Sequence, residues 1–145
     1  MKRRKLRGRF HLIRCAFAYT FRRSVSTGPM PYRLWLEPTN TCNLHCRMCP
    51  TGQDRDTERG FMDWDLFQCI VDAASNQTTE LILHHRGEPL LHPGIGEMIR
   101  YGHSCGLRTI LHTNATLLDE EMTGMLLSAG LDLSLIHISE PTRPL

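Results

Sequence analysis

Several things are missing from these 145 residues, and each absence narrows the reading. No run approaches the roughly twenty apolar residues that a membrane-spanning helix needs. There is no phosphate-cradling P-loop, no dinucleotide glycine fingerprint and no nucleophile elbow, so those enzyme classes are set aside. Acidic side chains are absent from residues 1–36, which carry ten Lys/Arg. Residues 37–145 carry seven Lys/Arg against fifteen Asp/Glu, a net of −8, so the formal charge of +2 joins two different surfaces. No nucleic-acid motif accompanies the basic segment, and no nucleic-acid partner is expected. The apolar share of 41% and charged share of 22% are those of an ordinary globular chain of about one domain.

What is present is concentrated. Three of the six cysteines fall inside eight residues, Cys42, Cys46 and Cys49, at the spacing C-x3-C-x2-C. Thiolates are soft ligands that favour iron–sulfur clusters, zinc or Cu(I) over hard cations. A cubane normally takes one cysteine per iron. Three cysteines therefore leave one iron for something else, and an open position is what distinguishes a reactive centre from a closed structural one. Zinc is the competitor, with His45 as a fourth ligand, although zinc sites usually pair two C-x2-C or C/H units across a spacer. No second pair exists here. Cys15, Cys69 and Cys105 are scattered and odd in number, which suits metal use in a reducing compartment better than a disulfide scaffold. A cytoplasmic setting is the expectation.

Along the chain, residues 1–23 interleave arginine and lysine with Phe10, Leu12, Ile13, Phe17, Tyr19 and Phe21. That pattern suits an amphipathic helix making weak contact with an anionic membrane or an acidic partner, or a solvated extension with one face on the domain. Ser24 to Pro31 reads as a linker. Tyr32–Glu37 alternates like a strand, and the cysteine loop follows at its carboxyl end, continuing as loop from Thr51 to Gly60. A helix opens at Met62-Asp63 with Phe67, Ile70, Val71 and Ala74 on its apolar face. Cys69 beside that face is expected to be buried. Glu80–His85 reads as a second strand ending in Arg86-Gly87-Glu88-Pro89, and Gly94–Cys105 as a second helix stopped by Gly106. Arg108–His112 is a third strand ending in Thr113-Asn114. Asp119-Glu120-Glu121 starts a third helix, and Leu131 begins a fourth strand. Strands joined by helices must run the same way, so the units imply a parallel sheet of α/β class.

The loop Glu37-Pro38-Thr39-Asn40-Thr41-Cys42-Asn43-Leu44-His45-Cys46-Arg47-Met48-Cys49-Pro50 resembles the signature of the radical S-adenosylmethionine (radical SAM) enzymes. The resemblance implies a [4Fe–4S] cluster on Cys42, Cys46 and Cys49, with the fourth iron chelated by S-adenosyl-L-methionine. It implies reductive cleavage of that cofactor to a 5′-deoxyadenosyl radical, which abstracts hydrogen from a small-molecule or peptide substrate. An electron donor such as a flavodoxin or ferredoxin is implied as partner, and no catalytic residue beyond the cluster ligands. Met48 holds the family's bulky position near the adenine. Gly87-Glu88-Pro89 resembles the motif that contacts the cofactor's amino group; alone, the tripeptide is an ordinary turn. Thr113-Asn114 resembles the polar pair that reaches the cofactor's carboxylate or ribose, with Ala115 where glycine is frequent. Its bland alternative is an Asx or Ser/Thr turn closing the strand.

The implied fold is the first half of a partial (β/α)6 barrel over residues 32–133, with 1–31 as extension and linker. The Glu37-Pro38-Thr39-Asn40 stretch, Cys49-Pro50 and the Gly60-Phe61-Met62 turn are most similar to the SPASM-associated branch, whose members often modify peptides or build cofactors. Among the histidines, His84 and His112 are expected as core residues within strands and His103 on a helix surface. His85 and Arg86 lie near the barrel mouth, where they could touch substrate or cofactor. Residues 134–145 resemble translated sequencing-adapter sequence, so the natural sequence is expected to stop near Ser134. Such a half-barrel would leave a strand edge unpaired and one apolar flank uncovered. Outside this family, a non-catalytic zinc module and a membrane- or partner-docking fragment are the alternatives.

Overall fold

Short strands separated by amphipathic helices dominate the computed structural model, which describes residues 13, 16–22, 31–53 and 56–136. The expected extension, linker and tail fall largely outside the described residues, as do Cys15 and positions 54 and 55. Strands β1 (Arg33–Leu36), β2 (Glu80–Leu83), β3 (Arg108–Thr113) and β4 (Leu133–Ile136) form one parallel sheet in the order β1-β2-β3-β4. Helices α1 (Trp64–Ser75), α2 (Ile95–Ser104) and α3 (Glu120–Ser128) fill the three crossovers. Spatial order follows chain order with no reversal, which is how a barrel winds; a doubly wound sheet reverses direction at a switch point.

Strand residues alternate between the two faces. Leu34, Leu36, Leu81, Leu83 and Leu111 join the core beneath the helices, with Phe67 and Val71 from α1 and Met98 and Ile99 from α2. Burying each such large side chain contributes about 1.5–3 kcal/mol. The opposite face carries Trp35, Ile82 and Ile110, in register across β1, β2 and β3. Trp35 is 53% exposed and Leu135 46% exposed, so part of this apolar face meets solvent, as a half-barrel requires. At the amino end of the sheet the buried Glu80 carboxylate takes Arg33 at 2.5 Å and Arg108 at 3.0 Å. Two guanidinium partners are what make burying that charge tolerable.

The helix signals operate locally. Asp63 caps α1 by accepting from the backbone N–H groups of Asp65 and Leu66, and Asp119 caps α3 through Met122 N. Gly106, at φ 81°, ends the α2 segment in the left-handed conformation that favours glycine. Two expectations need correcting. Pro50–Gln53 is a short helical turn rather than loop, with Pro50 at its first position, where the missing N–H costs nothing. Cys69 is exposed. At 100° per residue it stands about 200° round from Phe67, off the stripe that Phe67, Val71 and Ala74 bury.

Candidate functional site

Three loops meet at the carboxyl edge of the sheet, where ligands of βα folds bind. The first leaves β1 through Glu37. Its carboxylate Oε1 accepts from the N–H groups of Arg86 (2.7 Å) and Gly87 (3.1 Å), so the first strand's exit holds the second strand's turn. Glu88 N in turn donates to Thr41 O at 2.8 Å. The two backbones are so close that a Cβ on Gly87 would stand 1.9 Å from Thr39 O and 2.9 Å from Thr41 O. Only glycine permits this approach.

The stem of the cysteine loop is secured from behind by residues 58–62. Thr39 Oγ1 donates to Gly60 O, while Asn40 exchanges hydrogen bonds with Glu58 O and Gly60 N. Arg59 brackets the loop: Nη1 donates to Asn40 O before the first cysteine and Nη2 to Thr51 O after the last, both at 2.7 Å. The planar fork of five donors suits two such carbonyls. Within the loop, Cys49 N donates to Cys46 O at 3.1 Å. Cys42, Cys46 and Cys49 are all partly exposed thiols, and Met48 between them is 94% exposed. Among the described residues, no three His, Cys, Asp or Glu side chains are grouped so as to hold one metal ion.

Glu88 is 2% exposed and its carboxylate accepts three hydrogen bonds. Oε1 accepts from Leu90 N, capping the Pro89–Leu91 helical turn, and from Thr113 Oγ1 at 2.6 Å; Oε2 accepts from Asn114 N at 2.8 Å. The second loop therefore positions the third. Thr113 Oγ1 accepts from Ala115 N, and Asn114 Oδ1 from Thr116 N, so both the Ser/Thr turn and the Asx turn are present. Ala115 sits at φ 60°, in the left-handed region where the family's glycine would be at ease. Asn114 Nδ2 donates to Asn43 Oδ1 at 3.0 Å and lies 3.9 Å from Cys42 Sγ.

Five of the eight expected site positions thus lie along one edge: Glu88 holds Thr113 and Asn114, Asn114 reaches Cys42, and Gly87 abuts the Thr39 and Thr41 backbone just before Cys42. For Cys46, Cys49 and Met48 the placement is on the same loop, at its exposed rim. The sequence reading missed Glu37, Asn43, Arg59 and Thr116 as supports. Of the histidines, His84 and His112 stack at 4.8 Å between ring centroids and are only half-buried. His85 and Arg86 are exposed at the edge. His103 is on the surface of α2, with Nδ1 2.8 Å from Gly130 O. His92 is a core histidine: Gly94 N donates to its Nδ1, so Nε2 carries the proton and donates to Met62 O.

A family model described as the Radical SAM superfamily matches residues 36–143. The chain is 39% identical over 102 residues to the tungsten-containing aldehyde ferredoxin oxidoreductase cofactor-modifying protein of Pyrococcus furiosus, covering 69% of this chain and 28% of that protein. It is 34% identical over 94 residues to the AdoMet-dependent heme synthase of Methanosarcina barkeri, covering 65% of this chain and 27% of that one. The chain therefore spans little more than a quarter of these relatives' length. Among solved structures, BtrN in complex with AdoMet and 2-DOIA superposes with a TM-score of 0.70 at 22% identity, over 77% of this chain and 47% of that one. Streptococcus suis SuiB bound to S-adenosylmethionine gives 0.60 at 16% identity, over 85% of this chain and 28% of that one. These two likenesses show a shared fold.

Proposed function

The chain belongs to the radical SAM superfamily, enzymes that use a [4Fe–4S] cluster and S-adenosylmethionine, and we propose that Cys42, Cys46 and Cys49 hold the cluster in the protein of which it is part. The chemistry of the donor set fits that group. Three soft thiols share one loop at an open edge, and a cubane with three cysteine ligands keeps one iron for an exogenous chelate. When bound, the cluster and cofactor supply reductive cleavage of the sulfonium to a 5′-deoxyadenosyl radical that abstracts a substrate hydrogen atom.

The chain's own residues position and shield. Glu37 and the Thr39–Thr41 backbone set the height of the Gly87-Glu88-Pro89 turn. With the Glu88 carboxylate occupied by three donors, recognition of an ammonium at this turn falls to its backbone carbonyls. Thr113 and Asn114 fix the third loop on the same edge, beside where the cofactor's carboxylate or ribose would lie. Met48, exposed at the loop's rim, supplies an apolar surface for the adenine. The observation that carries this reading is the close approach of Gly87 to Thr39, which joins the cysteine loop and the second motif into one unit.

The finer reading is a cofactor- or peptide-modifying enzyme of the SPASM-associated branch. Relatives named as heme synthases, a cofactor-modifying protein and the PqqA peptide cyclase support it. A flavodoxin or ferredoxin would supply the electron in a reducing, cytoplasmic setting. The full-length protein, reconstituted anaerobically with iron and sulfide and reduced with dithionite, should release 5′-deoxyadenosine from S-adenosylmethionine. A Cys46→Ala variant should release none; equal release from both rejects the assignment.

The N-terminal segment supports an additional surface contact. Ile13, Phe17, Tyr19 and Phe21 are 57–87% exposed, and the neighbouring sequence is rich in arginine. Sedimentation with anionic vesicles should be salt-sensitive and should vanish when residues 1–23 are removed; salt-independent binding contradicts it.

A further inference from the structure

We infer that Asn114 is a positioning residue for the metal centre itself: its side-chain amide donates to Cys42 Sγ and so sets the reduction potential of the cluster that Cys42 holds. The inference rests on the ligand assignment proposed above. The geometry begins with the orientation of the amide. Thr116 N lies 3.0 Å from Asn114 Oδ1, and a backbone N–H can only donate. Thr116 Oγ1 also donates to Oδ1 at 2.7 Å. The oxygen end of the amide must therefore face Thr116, which turns Nδ2 toward the cysteine loop.

Nδ2 has two hydrogens and two acceptors waiting. One is Asn43 Oδ1 at 3.0 Å, the other Cys42 Sγ at 3.9 Å, within reach of a hydrogen bond to the larger sulfur atom. Asn43 completes a ring, because its own Nδ2 donates to Thr116 Oγ1 at 2.8 Å. Every polarity in the ring agrees: Asn43 donates to Thr116, Thr116 to Asn114, and Asn114 back to Asn43. Below it, Glu88 Oε2 holds Asn114 N, so the backbone carrying the amide is tied to a buried carboxylate. The donor is thus fixed by three separate anchors before any metal arrives, which is the condition for an electrostatic effect that costs no reorganisation.

Hydrogen bonds to the sulfurs of an iron–sulfur cluster are among the levers that set its potential. A donor beside a ligand sulfur stabilises the more negative, reduced state and raises the potential. Asn114→Ala should retain four irons but shift the reduced-to-oxidised ratio at fixed potential by up to about tenfold toward oxidised, which is about 59 mV for one electron. Asn43→Ala keeps the donor and its Thr116 anchor, and should shift the ratio less than about threefold.

The test is an EPR-monitored redox titration of the intact chain, reconstituted anaerobically, with iron counted on each variant. An exchangeable proton coupled to the reduced cluster in electron–nuclear double resonance should be present in the parent and in Asn43→Ala and lost in Asn114→Ala. If Asn114→Ala does not fold, Asn114→Asp keeps the oxygen that accepts from Thr116 and removes the donor; it should move the potential the same way and further. Four irons with an unchanged potential in either Asn114 variant overturn the inference while leaving the cluster assignment standing. A parent chain that assembles no four-iron cluster overturns the assignment and the inference together.

Discussion

Replacing Gly87 with alanine tests whether the cysteine loop and the second motif are one unit. The added Cβ would lie 1.9 Å from Thr39 O, 2.7 Å from Thr39 C and 2.9 Å from Thr41 O. All three atoms are backbone, so no rotamer change relieves the overlap. The loops must separate by more than 1 Å, roughly the shortfall from an ordinary carbon–oxygen contact. Separation of that size breaks the bond from Glu88 N to Thr41 O and the pair that Glu37 accepts from Arg86 and Gly87. Three hydrogen bonds at about 1 kcal/mol each, plus the strain that remains, give a loss of about 3–5 kcal/mol. With a urea dependence of about 2–3 kcal/mol per molar, the upper part of the range for small proteins, the unfolding midpoint should fall by about 1–2.5 M. Circular dichroism during a urea titration of the metal-free chain reads this directly. Gly124→Ala is the matched control: no atom stands within 4 Å of its Cβ, and inside α3 it should stabilise by about 1 kcal/mol. Equal midpoints for Gly87→Ala and the parent would refute the close approach.

Other outcomes follow from the same contacts. Ala115→Gly should stabilise by about 0.5–1 kcal/mol, because the left-handed backbone at φ 60° costs alanine more than glycine's extra entropy; thermal unfolding measures it. Glu88→Gln replaces one of two acceptor oxygens with a donor facing Thr113 or Asn114, and should cost about 2 kcal/mol or more in the same assay. Arg59→Ala frees both shoulders of the cysteine loop, so bound iron should be lost to a chelator several-fold faster while secondary structure persists. Tyr101 donates to Asp72 at 2.6 Å, and this bond to the carboxylate raises the phenol above its usual value of 10.0. Its stabilising effect is complete below the unfolded pKa near 10 and is lost as pH rises through the folded value. Phenolate absorbance should therefore show a titration that moves up in the folded chain relative to urea, and that disappears in Tyr101→Phe.

The periodic parts of this fold were legible because their causes are local. Alternation marks β1, the 3.6-residue stripe of Phe67, Val71 and Ala74 marks α1, and Asp63 and Asp119 announce helix starts. The cysteine spacing and the two strand-end motifs could also be read, since each is a short run. What escaped is long-range. Glu37 reaches residues 49 and 50 positions away, and Asn43 meets Asn114 across 71. No pattern in a single sequence announces such pairs. The engagement of Glu88 is of this kind too: the motif reading left its carboxylate open to a ligand, whereas Thr113 and Asn114 occupy it. Cys69 and Pro50 are different. The helical phase places Cys69 outward and proline's preference for a first helical position marks Pro50, so both signals were in the sequence and were outweighed by composition.

The central claim, that Cys42, Cys46 and Cys49 seat a four-iron cluster with one iron open to S-adenosylmethionine, is tested most directly by counting metal and watching that iron. Oxygen-free reconstitution followed by iron and acid-labile sulfide analysis should give four of each per chain, set by the cubane stoichiometry. The EPR spectrum of the reduced protein should change when S-adenosylmethionine is added, and each single Cys→Ala variant should lose the signal. A colourless protein carrying one tight zinc, or a four-iron signal indifferent to both the cofactor and the three substitutions, would contradict it.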